Sequence, residues 1–191
     1  MSEIEIIATI FGVICVWLTI KQHIACWPIG LVQVVLYISV FYQAKLYADM
    51  VLHVIYVLLS IYGWYHWSES NINKESSGIT LCGKFTYIYG ALCLALTLIL
   101  GFTFTLYTDA SLTYPDSFIM SSSLIAQWLM SRKKLESWIL WIHTDIVAIY
   151  VYWYKELYWT TGLYLLFLFM AISGLAEWRK DYYQAKSILV K

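Results

Sequence analysis

Apolar runs of about 20 residues, separated by short polar breaks, recur along almost the whole 191-residue chain. A run of that length matches the hydrocarbon thickness of a bilayer when it is helical. Hydrophobic residues make up 61% of the sequence and charged ones 13%, whereas a soluble domain is near half apolar and a quarter charged. No soluble core could hide so large an apolar excess. Lipid offers the backbone no hydrogen-bond partners and the periodicity is not that of barrel strands, so the spans must be helices. The chain is an all-α integral membrane protein.

The breaks predict seven spans, near 4–20, 27–43, 46–66, 83–106, 115–131, 137–154 and 157–177. Only ESNINKESSG, residues 69–78, has the composition of a hydrophilic linker. The breaks at Gln43 to Lys45 and Lys155 to Glu156 are so tight that the helices they join must be antiparallel neighbours. The first residues carry two acids, Glu3 and Glu5, and no basic segment, so the first span is expected to stay rather than be cleaved as a signal peptide.

Several function classes are disfavoured by what the chain lacks. The formal net charge is zero, so no basic excess points to nucleic acid. The four cysteines (Cys15, Cys26, Cys82 and Cys93) show no CxxC spacing and read as small packed residues. No nucleotide-binding loop, serine-nucleophile elbow or zinc spacing occurs, so neither a cofactor nor a metal is expected. The loops leave no room for an ATP-hydrolysing domain, and the sparse membrane carboxylates trace no ion path. Facilitated diffusion is the simplest reading.

Basic residues set the expected orientation. Lys21, Lys74, Lys84, Arg132, Lys133, Lys134, Arg179, Lys180, Lys186 and Lys191 fall on one side of the seven-span arrangement, and only Lys45 and Lys155 on the other. The loop from Tyr107 to Asp116 on that second side carries acids and no base. The positive-inside rule places the N-terminus outside and the C-terminus in the cytoplasm.

Sliding the chain over itself by 111 residues superposes 5–67 on 116–178 without a gap. Trp17 then falls on Trp128, Trp27 on Trp138, Trp67 on Trp178 and Gly63 on Gly174, and the pair Leu46–Tyr47 falls on Leu157–Tyr158. Four tryptophans in one window and six in the other would coincide about 0.4 times by chance. Lys21 also meets Arg132, and Lys45 meets Glu156. A duplicated three-helix unit explains this, and one intervening helix lets both units enter the membrane in the same direction. The expected organisation is 1–68 as the first repeat and 69–114 as linker and connector helix. The second repeat follows at 115–178, and 179–191 forms a cytoplasmic tail. This is a 3+1+3 parallel repeat whose substrate site would lie between the repeats, unless the duplication survives for packing alone.

Polar groups inside the spans nominate a site, because ionisable residues deep in lipid are costly and face a cavity or a partner. Asp145 lies seven residues after Trp138, roughly 10 Å along the sixth helix. Trp138, Trp141, Asp145 and Tyr152 share one helical stripe. Flat rings, one negative charge and a hydroxyl would suit an aromatic ligand, a cationic one especially. An interfacial tryptophan belt with Asp145 bonded to a neighbouring helix is the plainer alternative.

The repeat mate of Asp145 is Val34 and that of Thr144 is Gln33, so the halves differ where a ligand-reading cavity must be asymmetric. Gln33 and Gln127 are the two mid-span glutamines and could bind a ligand hydroxyl or each bond another helix. Asp49, near Tyr47, reads as a helix cap or a partner of Lys45. His53 and His143 read as packed polar residues, and Ser121–Ser122–Ser123 as a place of close helix approach or as hydroxyls lining a path.

The segments WPIG (27–30), FYQAKLYADM (41–50), YGWYHW (62–67), AQWLMSRKKLESWILW (126–141) and KELYWTTGLY (155–164) resemble the PnuC family of bacterial vitamin transporters. With the repeat, they extend the resemblance over nearly the whole chain. It implies a 3+1+3 arrangement similar to a full-length SWEET transporter and a multi-pass protein of the bacterial cytoplasmic membrane. It further implies facilitated diffusion of an unphosphorylated vitamin such as nicotinamide riboside, thiamine or riboflavin, trapped by a cytoplasmic kinase. The family's WxxW pattern on its sixth core helix, associated with substrate, matches Trp138 and Trp141. The chain departs from the nicotinamide riboside pattern further along, where the stripe continues through Ala148 to Tyr152 with no amide. Thiamine is therefore a close alternative, and Asp145 would serve either cation.

Two rivals come from other classes. A membrane enzyme would pair Asp145 with a histidine, yet His143 falls off the stripe. A receptor or assembly protein would lack an aromatic-lined pocket. Homo-oligomerisation is left open by the sequence.

Overall fold

The computed structural model describes residues 3–43, 47–72, 78–108 and 112–189. Seven α-helices form there: α1 (Glu3–Ile20), α2 (Cys26–Gln43), α3 (Tyr47–Ile72), α4 (Thr86–Tyr107), α5 (Thr113–Ser131), α6 (Glu136–Tyr154) and α7 (Tyr158–Leu189). A single 3-10 turn, Gly83–Phe85, leads into α4. The protein is all-α, as lipid requires. Lys45 and the side chain of Asp49 lie outside the described residues, as does half of the hydrophilic linker, residues 73–77.

Five helical stretches are long and apolar enough to cross a membrane by length and composition: Glu3–Ile20, Cys26–Gln43, Met50–Glu69, Gly83–Tyr107 and Tyr158–Ser187. The sequence predicts seven spans, and the two that miss this measure are α5 and α6. Their polarity is turned inward: Ser117, Ser121, Ser122 and Ser123 on α5 and Thr144 and Asp145 on α6 are all buried. Composition treats an enclosed serine like one facing lipid, so it undervalues these helices. At 1.5 Å per residue α7 is about 48 Å long, well beyond the roughly 30 Å hydrocarbon core.

The chain divides into two compact units, Met1–Gly78 with Tyr182–Lys191, and Ile79–Asp181. In the first, α1 packs on α2 and α2 on α3. In the second, α4 packs on α5 and α5 on α6. A buried cluster of Cys82, Cys93, Ile125 and Leu129 joins α4 to α5, flanked by Tyr89, Leu96, Phe118, Trp128 and Leu140. The exteriors of both units are apolar, with Ile10, Val35 and Leu58 in the first and Leu98, Ile146 and Phe169 in the second all exposed.

Local geometry recurs at the 111-residue offset. Gln22 ends α1 at φ 53° and Lys133 ends α5 at φ 51°. The His23 amide donates to the Leu18 carbonyl at 2.9 Å and the Lys134 amide to the Leu129 carbonyl at 3.0 Å. The Gln22 amide reaches Thr19 and the Lys133 amide reaches Met130, both at 3.0 Å. These paired bonds close a left-handed helix end usually given to glycine. Here glutamine and lysine adopt it, and the same turn is built twice.

The tryptophan pairs also recur. Trp27 meets Trp67 edge to face at 5.3 Å and 85°, and Trp138 meets Trp178 at 5.6 Å and 89°. In each unit the first indole lies flat on a glycine, Gly63 or Gly174, where an added methyl group would overlap it. These small residues let α3 approach α2, and α7 approach α6, closely.

Candidate functional site

α6 carries the stripe singled out from the sequence. Its helical rise places Trp138, Trp141, Asp145, Ala148 and Tyr152 along one side. Ile139, Ile146, Tyr150 and Trp153 are exposed. Trp138, Asp145 and Ala148 are buried, while Trp141 and Tyr152 are half-buried.

The two tryptophans differ in role. Trp138 is only 2% exposed, wedged between Gly174 and Trp178 in the packing that Trp27 repeats. Its indole Nε1 has no hydrogen-bond partner, and neither has that of Trp27. Trp141 has no such twin. Its repeat mate is Gly30, whose backbone sits against Cys15 Sγ. The half-buried ring of Trp141 therefore belongs to the second unit alone.

Asp145 is 3% exposed and lies beside Thr144, which is fully buried. Thr144 Oγ1 donates to the Leu140 carbonyl at 2.8 Å and lies 2.7 Å from Ser122 Oγ of α5. Ser122 Oγ in turn reaches the Phe118 carbonyl at 2.6 Å. This hydroxyl pair staples α5 to α6 next to Asp145. The middle serine of the Ser121–Ser122–Ser123 run thus sits at the helix contact.

Tyr152 stacks on Tyr164 at 5.0 Å, and Tyr164 meets Phe167 edge to face at 6.1 Å and 89°. The first unit holds the equivalent triplet, Phe41, His53 and Tyr56. Phe41 lies 4.8 Å from His53, which meets Tyr56 edge to face at 5.5 Å and 86°. Sequence reasoning took His53 for an isolated packed polar residue. The offset of 111 maps it onto Tyr164, which was the signal available for its partners.

The glutamines are not in one unit. Gln33 is half-buried on α2 with its amide lying over Gly12 of α1 in the first unit. Gln127 is half-buried on α5 in the second. His143 is exposed, with Nδ1 2.7 Å from the Ile139 carbonyl, while Asp145 is buried. Among the described residues no group of His, Cys, Asp and Glu side chains could hold a metal ion. Where Asp116 meets Lys155, the ammonium lies 3.0 and 2.9 Å from the two carboxylate oxygens.

A model of the nicotinamide mononucleotide transporter family matches residues 2–180. The chain belongs to that family. It is 28% identical over 204 residues to the nicotinamide riboside transporter PnuC of Escherichia coli, covering 93% of this chain and 85% of the relative. It is 19% identical over 178 residues to the riboflavin/roseoflavin transporter RibM of Streptomyces davaonensis, covering 91% and 83%. A crystal structure of the vitamin B3 transporter PnuC shares the fold, with TM-score 0.73 and 24% identity over 95% of this chain and 82% of that one. The family and these relatives are multi-pass membrane transporters, and the chain is a transporter rather than an enzyme.

Beyond Trp138, the α6 stripe differs from its twin in the first unit. Trp141, Asp145, Ala148 and Tyr152 stand where the first unit has Gly30, Val34, Tyr37 and Phe41. The packing of Trp138 against Trp178 and Gly174 is duplicated in the first unit, and the rest of the stripe is not.

Proposed function

We propose that the chain carries an unphosphorylated water-soluble vitamin, nicotinamide riboside foremost, into a bacterial cell across its cytoplasmic membrane. In this reading the protein is a 3+1+3 parallel repeat of the SWEET kind, with its N-terminus outside and its C-terminus inside. Transport is facilitated diffusion, and a cytoplasmic kinase traps the vitamin by phosphorylation. The relatives named as nicotinamide riboside transporters support the substrate class.

The observation that carries the site is the asymmetry at Trp141 and Asp145, whose twins are Gly30 and Val34. A half-buried indole beside a buried carboxylate suits a flat cationic ring by stacking and charge. Nicotinamide riboside has such a ring in its pyridinium. Tyr152 and Gln127 complete the proposed set, Tyr152 by its ring and Gln127 as an amide for hydroxyls, while Trp138 is held against Trp178 and Gly174 and Gln33 against Gly12.

Thiamine is the second reading, because its thiazolium is also cationic and the stripe has no amide between Asp145 and Tyr152. Riboflavin, carried by the Streptomyces relative according to its name, is a neutral ring and makes no use of the Asp145 charge. The test is uptake of each labelled vitamin into liposomes loaded with its kinase and ATP. Nicotinamide riboside should accumulate as its phosphate, and only when the matching kinase is inside. Accumulation of thiamine alone would move the assignment to the second reading, and accumulation of none would reject transport.

A further inference from the structure

The segment between α3 and α4 is fastened to the start of α6. The Thr80 amide donates to the Lys133 carbonyl at 3.1 Å, and the Leu135 amide donates to the Thr80 carbonyl at 3.0 Å. These two bonds form an isolated parallel bridge in a protein otherwise helical in its described residues. Lys134 Nζ adds a bond to the Leu81 carbonyl at 3.3 Å. Glu136, the first residue of α6, reaches back across the strap. Its Oε1 accepts from the Cys82 amide at 2.8 Å and from Thr86 Oγ1 at 3.4 Å.

The chemistry of this contact is that of a helix cap supplied from another helix. Cys82 opens the 3-10 turn that becomes α4, and neither Cys82 nor Phe85 gives a side-chain cap. The first amides of a helix lack internal partners and carry partial positive charge. A carboxylate there makes a charge-assisted bond, about twice as strong as a neutral one. Glu136 meets that need for α4 while being part of α6. Its repeat mate is Ala25, so the duplication did not supply it.

We propose that Glu136 is a positioning residue that locks the connector helix α4 to the ligand-bearing helix α6, so that Ile79–Asp181 moves as one body during transport. The dynamic part rests on the transport reading above, whereas the lock itself does not. Glu136 lies two residues before Trp138 and five before Trp141, close enough to set the helix without touching a ligand on its stripe. Loss of the lock should slow the conformational step and leave ligand affinity alone.

Cys82 reports on the lock directly. It is 7% exposed, and its thiol is pushed up to about 11, first by burial and then by the nearby Glu136 charge. In a variant with Cys15, Cys26 and Cys93 replaced by alanine, N-ethylmaleimide should label Cys82 slowly at neutral pH, because the thiolate is the reactive form. Glu136→Ala should raise that rate about ten-fold, the scale of one hydrogen bond to a charged group. Glu136→Gln keeps an oxygen for the Cys82 amide and loses no bond at Oε2, which is buried without a partner. It removes the charge and retains the lock, so its labelling should stay within about three-fold of the parent.

In kinase-loaded liposomes Glu136→Ala should lower the maximal rate about five-fold with KM within two-fold, and Glu136→Gln should recover most of the rate. If Glu136→Ala does not yield monodisperse protein, Thr80→Pro removes the Thr80 amide donor and should show the same labelling and the same rate-only defect. Cys82 labelling unchanged in Glu136→Ala, or in Thr80→Pro where that variant stands in for it, would overturn the lock. A KM that rises as the rate falls would place Glu136 at the ligand instead and overturn the positioning role. Absence of uptake in the parent protein would reject the transport reading while the labelling arm still decides the lock.

Discussion

The indole of Trp138 stands edge-on to that of Trp178, 5.6 Å between ring centroids and 89° between planes, with Gly174 beneath it. The first unit repeats the arrangement with Trp27, Trp67 and Gly63. A duplicated packing device is thus embedded in a helix whose other stripe residues are not duplicated.

Gly174→Ala should destabilise the protein. An alanine ordinarily stabilises a helix interior by about 1 kcal/mol over glycine. Here its methyl group overlaps the Trp138 indole, and over-packing of this kind costs about 1–3 kcal/mol, so the steric term wins. Gly90→Ala in α4 is the control, since nothing lies within 4 Å of the added carbon. Thermal unfolding in detergent should show a lower midpoint for Gly174→Ala and an unchanged or higher one for Gly90→Ala. A stabilised Gly174→Ala would show that the indole can step aside.

His53 should be replaceable by the residue its twin carries. Its ring contacts Phe41, Tyr37 and Tyr56 at 4.8, 5.8 and 5.5 Å, and Tyr164 makes the counterparts of the Phe41 and Tyr56 contacts in the second unit. His53→Tyr keeps the aromatic body. His53→Ala loses several ring contacts, each worth about 0.5–1.5 kcal/mol. The unfolding midpoint should fall clearly for alanine and little for tyrosine. An equal fall for both would mean that the imidazole nitrogens, rather than the ring, hold this cluster.

The Lys155–Asp116 pair should contribute little. Its side chains are 33% and 30% exposed, and pairs so open to solvent contribute about 0–1 kcal/mol. Asp116→Asn should lower stability by less than about 1 kcal/mol, and the difference should shrink in high salt. A large salt-independent loss would show that the pair is shielded from solvent.

Much of the fold was legible because lipid leaves the chain few options. The apolar runs located the helices to within a few residues except at the end of α3, which runs to Ile72, six residues past its expected end and into the hydrophilic stretch 69–78. The last helix runs on to Leu189, since its polar end is a continuing helix that hydropathy cannot see. Asp145 and Ser121–Ser122–Ser123 stand out in the sequence, but composition alone could not show that they are enclosed. The family was legible from WPIG, YGWYHW and the WxxW segment, and the family match over residues 2–180 bears it out.

The stripe on α6 followed from helical spacing. What spacing could not reveal was that Trp138 is occupied by Trp178 and Gly174 while Trp141 is not, because that depends on another helix. Glu136 escaped notice for a related reason. Its partners Cys82 and Thr86 are about fifty residues away in sequence, and no periodicity connects a helix start to a distant strap.

The central claim is that Trp141 and Asp145 on α6 read a cationic vitamin during transport. The most direct measurement is kinase-dependent uptake of labelled nicotinamide riboside by liposomes bearing either the parent protein or Trp141→Ala, which removes the ring without placing a glycine inside α6. Loss of one stacked ring is worth about 0.5–1.5 kcal/mol, so uptake at low substrate should fall about two- to ten-fold while the variant stays folded at the assay temperature. Uptake equal to that of the parent protein would contradict the account.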